Sequence, residues 1–379
     1  MTPVELSRTV LRAVRCAVEE GELDVAVPER VVVAPPGGGG CGDYATGVAL
    51  QLARPAGETP QRVAGILRAH LLRQRGIGEV VVTGPGFLNI SLRGSAAVAL
   101  VAEILAAGAR YGESDVLGGR AVPLVVPREV RAVVHADVLR RILRSQGADA
   151  HIYADSPGDI RAHVHTHVHT HVHTHVHART DLPLPSSWHT VLGVPDSLPA
   201  LPAPDGDVAA PRVPVAPVPV AAPGALLGLG RDAARWASVY PAAHDRVVVS
   251  GEHLVQRESN PLFRVRYAHA RVRAVARNAA DLGFQGEPGE TSSGRALLAL
   301  LGDHPRVLAA AAAQRAPDRV ARQLVGVADA VLPLLPDVLP LGEEKPSAAH
   351  RARLALAEAA GAVLAGGLDL LGIDAPDHL

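Results

Sequence analysis

One stretch of the chain, residues 259–282, repeats apolar and polar positions with the period of an α-helix. Asn260 and Pro261 supply a helix start, because Asn caps helix N-termini and proline fits the first turn. The apolar positions form one narrow stripe: Val265, Ala268, Val272, Val275 and Ala279. The opposite side and the flanks of the stripe carry the arginines Arg264, Arg266, Arg271, Arg273 and Arg277. The pattern predicts an amphipathic helix with a basic face, which suits either a polyanion or acidic residues from elsewhere in the fold.

The same periodicities divide the rest of the chain. Helices are predicted over 2–20, 48–53, 59–73, 95–107 and 130–146, and strands over 31–33, 79–83, 88–92, 122–126 and 150–153. The last two strands and the helix between them form one β-α-β unit. From Leu226 the pattern is helical almost to the end, with helices over 293–301, 305–313, 317–332 and 348–371 and a candidate short strand at 247–249. Gly372 is predicted to stop the last helix.

A histidine repeat and a proline-rich segment separate the β-α-β unit from the helical part. The histidines alternate with Val or Thr: His163, His165, His167, His169, His171, His173, His175 and His177. In a strand they would share one face, and neutral imidazole binds Zn²⁺, Ni²⁺ and Cu²⁺. The other interpretation is a low-complexity repeat in a solvated linker. We expect weak, adventitious Zn or Ni binding and no required cofactor, and we predict an extended linker with polyproline character over 183–223.

Composition narrows the function classes. The chain has 379 residues and a formal net charge of -1, so any nucleic-acid contact must depend on local patches. Lys345 is the only lysine, and Cys16 and Cys41 are the only cysteines, which excludes a disulfide framework and a zinc ribbon. The N-terminus lacks a signal-peptide pattern, and we predict a soluble cytoplasmic protein without membrane or DNA partners.

Several ordered motifs resemble one family. Asn260-Pro261 followed by Tyr267-Ala268-His269-Ala270-Arg271 is similar to the NP…YAHAR signature that opens the anticodon-binding helical domain of arginyl-tRNA synthetases. Matching segments occur before and after it, at residues 232–236 (DAARW), 317–322 (PDRVAR) and 367–376 (GLDLLGIDAP). The N-terminal part contains GDYATG, where Gly47 replaces the family's Asn, and GPGFLN at residues 84–89. The usual closing Pro-x-Arg-Met is replaced by Pro376-Asp377-His378-Leu379.

The resemblance implies a multidomain α+β architecture. Residues 1–112 are expected to form an N-terminal α/β module that recognises tRNA, and 113–160 a rudimentary β-α-β remnant of a class I nucleotide-binding fold. Residues 161–224 are expected to be linker, and 225–379 an all-α DALR-type anticodon-binding bundle.

The resemblance also implies a set of tRNA contacts. Phe87 is expected to stack on a loop base and Asn89 to bond a base edge; the alternative is a core Phe and a turn Asn. In the helical domain the candidates are Asn260, Arg266, Tyr267, His269, Arg271, Arg273 and Arg277. Tyr267 and His269 are assigned by analogy, and both are equally compatible with a place in the core.

The catalytic motifs of the family are altered. The segment 126–137 replaces the HIGH-type loop and keeps only His135 of the H-x-G-H pattern, and a KMSKS-type lysine is absent before the helical domain. Arginine does not simply replace lysine at a phosphate site. These features predict a non-catalytic, tRNA-binding relative of the synthetases without catalytic residues. Two alternatives remain open: an active ATP-dependent arginine–tRNA ligase, and a scaffold whose arginine face binds a synthetase or another acidic protein.

Overall fold

The computed structural model describes residues 3–37, 41–92, 94–155, 181–200, 212–291 and 293–379. The histidine repeat, with its candidate metal ligands, lies outside the described residues.

The N-terminal module packs three helices on a small antiparallel sheet. Its elements are α1 (Pro3–Glu19), β1 (Tyr44–Thr46), α2 (Val48–Ala53), α3 (Pro60–Leu72), β2 (Ile77–Thr83) and β3 (Phe87–Leu92). The strand order is β1-β3-β2, and a separate core of Leu, Val and Ala side chains lies under the sheet. The strand predicted at 31–33 does not form. Val31 and Val33 are buried, but only Ala34 bridges a strand residue, Ala45, so no ladder extends along this segment.

The predicted β-α-β unit is present. After α4 (Gly94–Ala107) the chain forms β4 (Ala121–Val126), α5 (Val130–Ser145) and β5 (Asp149–Ala154), and β4 and β5 pair in parallel from Ala121–Asp149 to Val126–Ala154. The spacing of buried residues explains the pairing, because both strands are buried at alternate positions.

Part of the predicted linker is ordered structure. It forms β6 (Asp181–Pro183), α6 (Ser186–Leu192), β7 (Ser197–Pro199) and β8 (Val213–Pro214). β8 pairs in parallel with the free side of β4, which gives a sheet of order β5-β4-β8. The linker prediction is wrong for these residues, because Leu184, Leu192, Val194 and Leu198 are buried in the main core.

The C-terminal part is a helical bundle. It comprises α7 (Pro223–Gly228), α8 (Arg231–Val239), α9 (Pro261–Asp281), α10 (Arg295–Gln314), α11 (Asp318–Val331) and α12 (Ala348–Leu371). The stripe predicted on α9 is confirmed, since all five of its residues are at most 5% exposed. Gly372, at φ +69°, ends α12 as predicted. Residues 247–249 do not form the candidate strand.

α10 runs unbroken through Pro305, although two helices were predicted there. Its middle turns pack against other elements: the backbone at Gly302 lies close to the Tyr44 hydroxyl, and His304 stacks on Tyr111 with ring centroids 6.0 Å apart. These tertiary contacts outweigh the local cost of proline in a helix. α12 in turn meets the turn after α4 through Gly366, where any Cβ would collide with the Ala109 carbonyl.

Within the part of the chain that the structure describes, two helices are long and apolar enough to span a membrane by length and composition alone, α10 and α12. In α12, 72% of the apolar window is buried inside the bundle, and in α10 the share is 39%. The burial of α12 identifies it as a central helix of the bundle, which explains its hydropathy.

Candidate nucleic-acid interface

Helix α9 begins at an Asn cap. The Asn260 Oδ1 accepts hydrogen bonds from the backbone N–H groups of Leu262 and Phe263, and its Nδ2 donates to the carbonyls of His253 and Val255 at 3.0 and 2.9 Å. The side chain is 6% exposed. Asn260 therefore fixes the start of the helix, and its side chain is directed at the protein rather than at a ligand.

Most arginines on α9 have an acidic neighbour from elsewhere in the fold. Arg264 lies 3.2 Å from the Asp329 carboxylate, Arg266 3.4 Å from Asp232, and Arg273 2.9 Å from Asp377. These carboxylates lie far away in sequence, which is why the local pattern did not show them. The face is thus partly neutralised, as the second interpretation of the sequence predicted. Arg271 is exposed, and no described carboxylate lies within ion-pair distance of it.

The C-terminal tail covers part of this face. Besides the Asp377–Arg273 pair, Arg277 Nη2 donates to the Asp377 carbonyl and lies 3.3 Å from His378 Nδ1. The hydrogen bond from Arg273 lowers the pKa of the Asp377 carboxyl, so the tail stays anionic at neutral pH. Asp377 therefore places a negative charge on the basic face of α9.

Tyr267 and His269 have different environments. Tyr267 is 38% exposed and stacks on Phe263 with ring centroids 5.5 Å apart. His269 is buried, its Nδ1 bonds the Pro376 carbonyl at 3.0 Å, and burial lowers its pKa. His269 also lines a cleft of ≈ 550 Å³ between α9 and α12, together with Arg273 and Glu358. Burial raises the pKa of Glu358. Of the two side chains, only Tyr267 is exposed to solvent.

The β2–β3 hairpin exposes Phe87 on the N-terminal module. The ring is 43% exposed, and a Cβ at Gly47 would lie 3.4 Å from its Cε1 atom. Replacement of the family's Asn by Gly47 thus leaves room beside the ring. Asn89 is 2% exposed and donates to the Thr83 hydroxyl at 2.6 Å. Its amide faces the protein and fixes the hairpin that carries Phe87.

The loop after β4 ends in Glu129, whose carboxylate caps the N-terminus of α5. Glu129 accepts hydrogen bonds from the Ala132 N–H at 2.8 Å and the Val220 N–H at 3.2 Å. A helix N-terminus in this position is where a phosphate binds in many nucleotide sites. In this structure the Glu129 carboxylate occupies it.

Arg131 and His135 are buried beneath this loop. The Arg131 guanidinium donates to five carbonyls, those of Val218, Ser238, Pro241, Ala242 and Asp245. His135 is 1% exposed and bonds the Ser238 carbonyl at 2.8 Å; burial lowers its pKa to about 4, so it is neutral at pH 7. His135, the one histidine kept from the H-x-G-H pattern, is therefore a buried residue that contacts the protein backbone.

A buried ion pair joins α5 to α8. Asp137 Oδ2 lies 2.7 Å from Arg235 Nη2, and both side chains are at most 1% exposed. Burial alone would raise the pKa of Asp137, but Arg235 and Arg141 hold it below its ordinary value. Arg235 also donates to the carbonyls of Leu192 and Leu371. Sequence reasoning identified the DAAR segment but not this pairing, which connects residues 98 positions apart.

One further group has the composition of a cation site. Glu20, Glu22 and His70 bring their oxygen and nitrogen atoms within 4.8 Å of one another, and His70 lies 2.8 Å from Glu22. Arg73 contacts Glu20 at 3.5 Å and competes for its carboxylate. The sequence did not indicate this group, because its members belong to α3 and to the loop after α1.

Comparison with known proteins places this geometry in context. The family model described as the arginyl-tRNA synthetase N-terminal domain matches residues 8–92, and the DALR anticodon-binding domain model matches residues 265–379. An arginine–tRNA ligase of Paenarthrobacter aurescens is 28% identical in an alignment that covers both chains from end to end.

The chain belongs to the arginyl-tRNA synthetase family.

Other synthetases agree at the level of sequence or fold. An arginine–tRNA ligase of Renibacterium salmoninarum is 42% identical over 162 residues, which cover 39% of this chain and 29% of the relative. Thermus thermophilus arginyl-tRNA synthetase shares the fold, with a TM-score of 0.66 at 16% identity over the whole of both chains. The Plasmodium falciparum enzyme gives a TM-score of 0.65 at 9% identity. The expected fold class is thus confirmed.

These alignments contradict the prediction that the chain is not an enzyme. The relatives that match it over its full length are arginine–tRNA ligases, from P. aurescens and from Pseudarthrobacter chlorophenolicus. The prediction depended on local features, the altered loop at 126–137 and the missing lysine. The alignment with the P. aurescens ligase runs over 552 positions, whereas this chain has 379 residues, so the chain is considerably shorter than the alignment.

Proposed function

We propose that this protein binds tRNA through its N-terminal module and its helical bundle, and that it does so as an arginine–tRNA ligase. The end-to-end similarity to arginine–tRNA ligases carries this proposal. It is supported by the two family domains at opposite ends of one chain. A cytoplasmic location belongs to the proposal, because that is where a protein that charges tRNA for translation is expected to act.

Two exposed aromatic rings supply the base contacts in this proposal. Phe87 on the N-terminal module and Tyr267 on α9 are both partly exposed to solvent, and single-stranded RNA bases stack on exposed aromatic rings. Arg271 supplies a phosphate contact on α9. Arg273 and Arg277 become available when the C-terminal tail leaves the helix.

The chemical step requires positive charge near the nucleotide phosphates. Arg131 is unsuitable, because its donors are already bonded to five carbonyls. Arg128 is exposed at the carboxyl end of β4. Its side chain makes one hydrogen bond to the described residues, from Nη2 to the Pro183 carbonyl at 2.6 Å. We propose Arg128 as the arginine that contacts ATP phosphates in this protein.

Charging of arginine tRNA with labelled arginine and ATP tests the ligase activity. We expect arginine-dependent accumulation of labelled tRNA, and a decrease in kcat of at least about tenfold for Arg128→Gln, the usual scale for one lost charge contact in a transition state. Arg120→Gln, which removes an exposed arginine elsewhere, is the matched control. tRNA binding without any charging would refute the ligase part of the proposal and leave the tRNA-binding part.

The tail contact leads to a prediction about affinity. Asp377→Asn should tighten tRNA binding about three- to tenfold at low salt, because it removes a negative charge that competes with phosphate for Arg273. Glu343→Gln removes the same charge from an exposed loop before α12 and should have a smaller effect. Equal affinities for Asp377→Asn and the unmodified protein in a fluorescence-anisotropy titration would show that Asp377 does not compete with tRNA phosphates for Arg273.

A further inference from the structure

A second basic surface lies on the helical bundle, away from the motifs that the sequence analysis selected. It is a groove of ≈ 530 Å³ between the α10–α11 junction and the loop after α8. The side chains that matter here are His244, Gln314, Arg315, Asp318, Arg319 and Arg322. We call it the α10–α11 groove.

The charge of this groove is less neutralised than that of α9. Arg322 lies 3.3 Å from Asp318, whose side chain is 9% exposed. Arg315 and Arg319 are exposed, and within the described ranges neither has a carboxylate at ion-pair distance. Three of the arginines on α9 do have such a partner. Arg315 and Arg319 therefore bring two guanidinium groups without a described carboxylate partner to the same groove.

Arg315 occupies an unusual backbone position. It follows the last residue of α10 with φ +55° and ψ 42°, and it is the one described non-glycine residue with positive φ. α6 and α12 end on glycines in the same conformation, Gly193 and Gly372. Glycine adopts this conformation without steric cost, whereas arginine does not. The fold alone therefore favours glycine at residue 315, and the presence of arginine indicates a use for its side chain.

Hydrogen bonds to the backbone fix the opposite wall of the groove. It consists of residues 242–244, and the Ala242 carbonyl accepts a hydrogen bond from the buried Arg131 at 2.9 Å. The Ala243 carbonyl accepts another from the Val218 N–H at 2.8 Å. The groove is thus a preformed depression with donors on one side and a fixed backbone on the other.

We propose that the α10–α11 groove binds phosphate groups through Arg315 and Arg319, with His244 and Gln314 as further donors. Guanidinium groups bind phosphate with two parallel hydrogen bonds, which suits this pair. The sugar-phosphate backbone of tRNA is the source that fits the proposed function, on which this inference rests. Free pyrophosphate or ATP offers the same chemistry, and the test separates the two.

The variants are Arg315→Gly, Arg319→Gln and the double variant, with Arg120→Gln as a charge-matched control. Arg315→Gly should fold at least as well as the unmodified chain, with an unfolding midpoint unchanged or about 2 °C higher, because it relieves the backbone conformation. A loss of binding in this variant is therefore not a loss of folding.

Each variant is titrated with tRNA across a salt series and, separately, with pyrophosphate. If the groove binds the RNA backbone, the double variant loses about 10- to 100-fold in tRNA affinity and its log–log salt slope falls by about two. If the groove serves free phosphates, pyrophosphate binding disappears and tRNA affinity stays. If neither changes relative to Arg120→Gln, the groove proposal is overturned.

Failure of the proposed function gives a different result. An unmodified chain that binds no tRNA would refute tRNA recognition as a whole, and the pyrophosphate titration would still decide whether Arg315 and Arg319 form a phosphate site.

Discussion

Replacing Arg131 with lysine is expected to lower the free energy of unfolding by several kcal/mol. The buried guanidinium donates to five carbonyls in one buried and four part-buried hydrogen bonds, and an ammonium group has three donors at one point, so at least two carbonyls lose their partner. A carbonyl left unsatisfied in a buried position costs about 1–3 kcal/mol, so two of them lower the stability by up to about 6 kcal/mol. A typical domain has only about 5–15 kcal/mol of stability, so the loss is a large part of it.

Urea unfolding followed by circular dichroism measures this effect. Arg128→Lys is the matched control, because Arg128 makes the same type of bond from an exposed position and should change stability by less than about 1 kcal/mol. If Arg131→Lys unfolds at the same urea concentration as Arg128→Lys, the network around Arg131 does not hold α5 to the loop after α8.

The free energy of unfolding is expected to fall steeply between pH 6.5 and about pH 4. Burial lowers the pKa of His135 and of His304 from 6.5 to about 4 each. In the unfolded chain both histidines take up a proton below their ordinary pKa, and in the folded protein they do not until about pH 4. The unfolded state therefore binds more protons in this window, and stability is lost as the pH falls.

At pH 5 each buried histidine should lower the free energy of unfolding by about 2 kcal/mol relative to pH 7. The two together should lower it by about 4 kcal/mol. His135→Gln and His304→Gln should each flatten the dependence of unfolding free energy on pH by up to one proton. The unmodified chain, which keeps both buried histidines, provides the reference. A slope in both variants equal to that of the unmodified chain would show that the buried histidines are not the acid-sensitive groups.

Local pattern was sufficient for some of the regular elements. The bounds of α9 and α12 follow from apolar stripes, an Asn-Pro start and a terminal glycine, all of which lie within the segment itself. The β4-α5-β5 unit was predictable for the same reason. α6 and β8 were missed, because they lie in a proline-rich region whose composition masks a few buried leucines and valines.

The electrostatics of the site could not be predicted, because they depend on residues distant in sequence. Asp232 and Asp377 reach the arginines of α9 only after the bundle has folded. The same limit applies to Asn89 and Asn260. Both residues match the sequence motifs, but their side-chain amides donate hydrogen bonds to other groups of the protein. Sequence alone also overvalued the altered loop at 126–137 as evidence against enzymatic activity.

Recognition of tRNA by the two terminal domains is tested most directly by an anisotropy titration of labelled arginine tRNA onto the full chain, repeated from about 50 mM to about 200 mM salt. We predict binding at the lower concentration that weakens at least about tenfold over the range, and a further weakening when Phe87→Ala and Tyr267→Ala are combined. Absence of binding at the lower salt concentration, or an affinity that does not respond to salt or to either ring, would contradict the account.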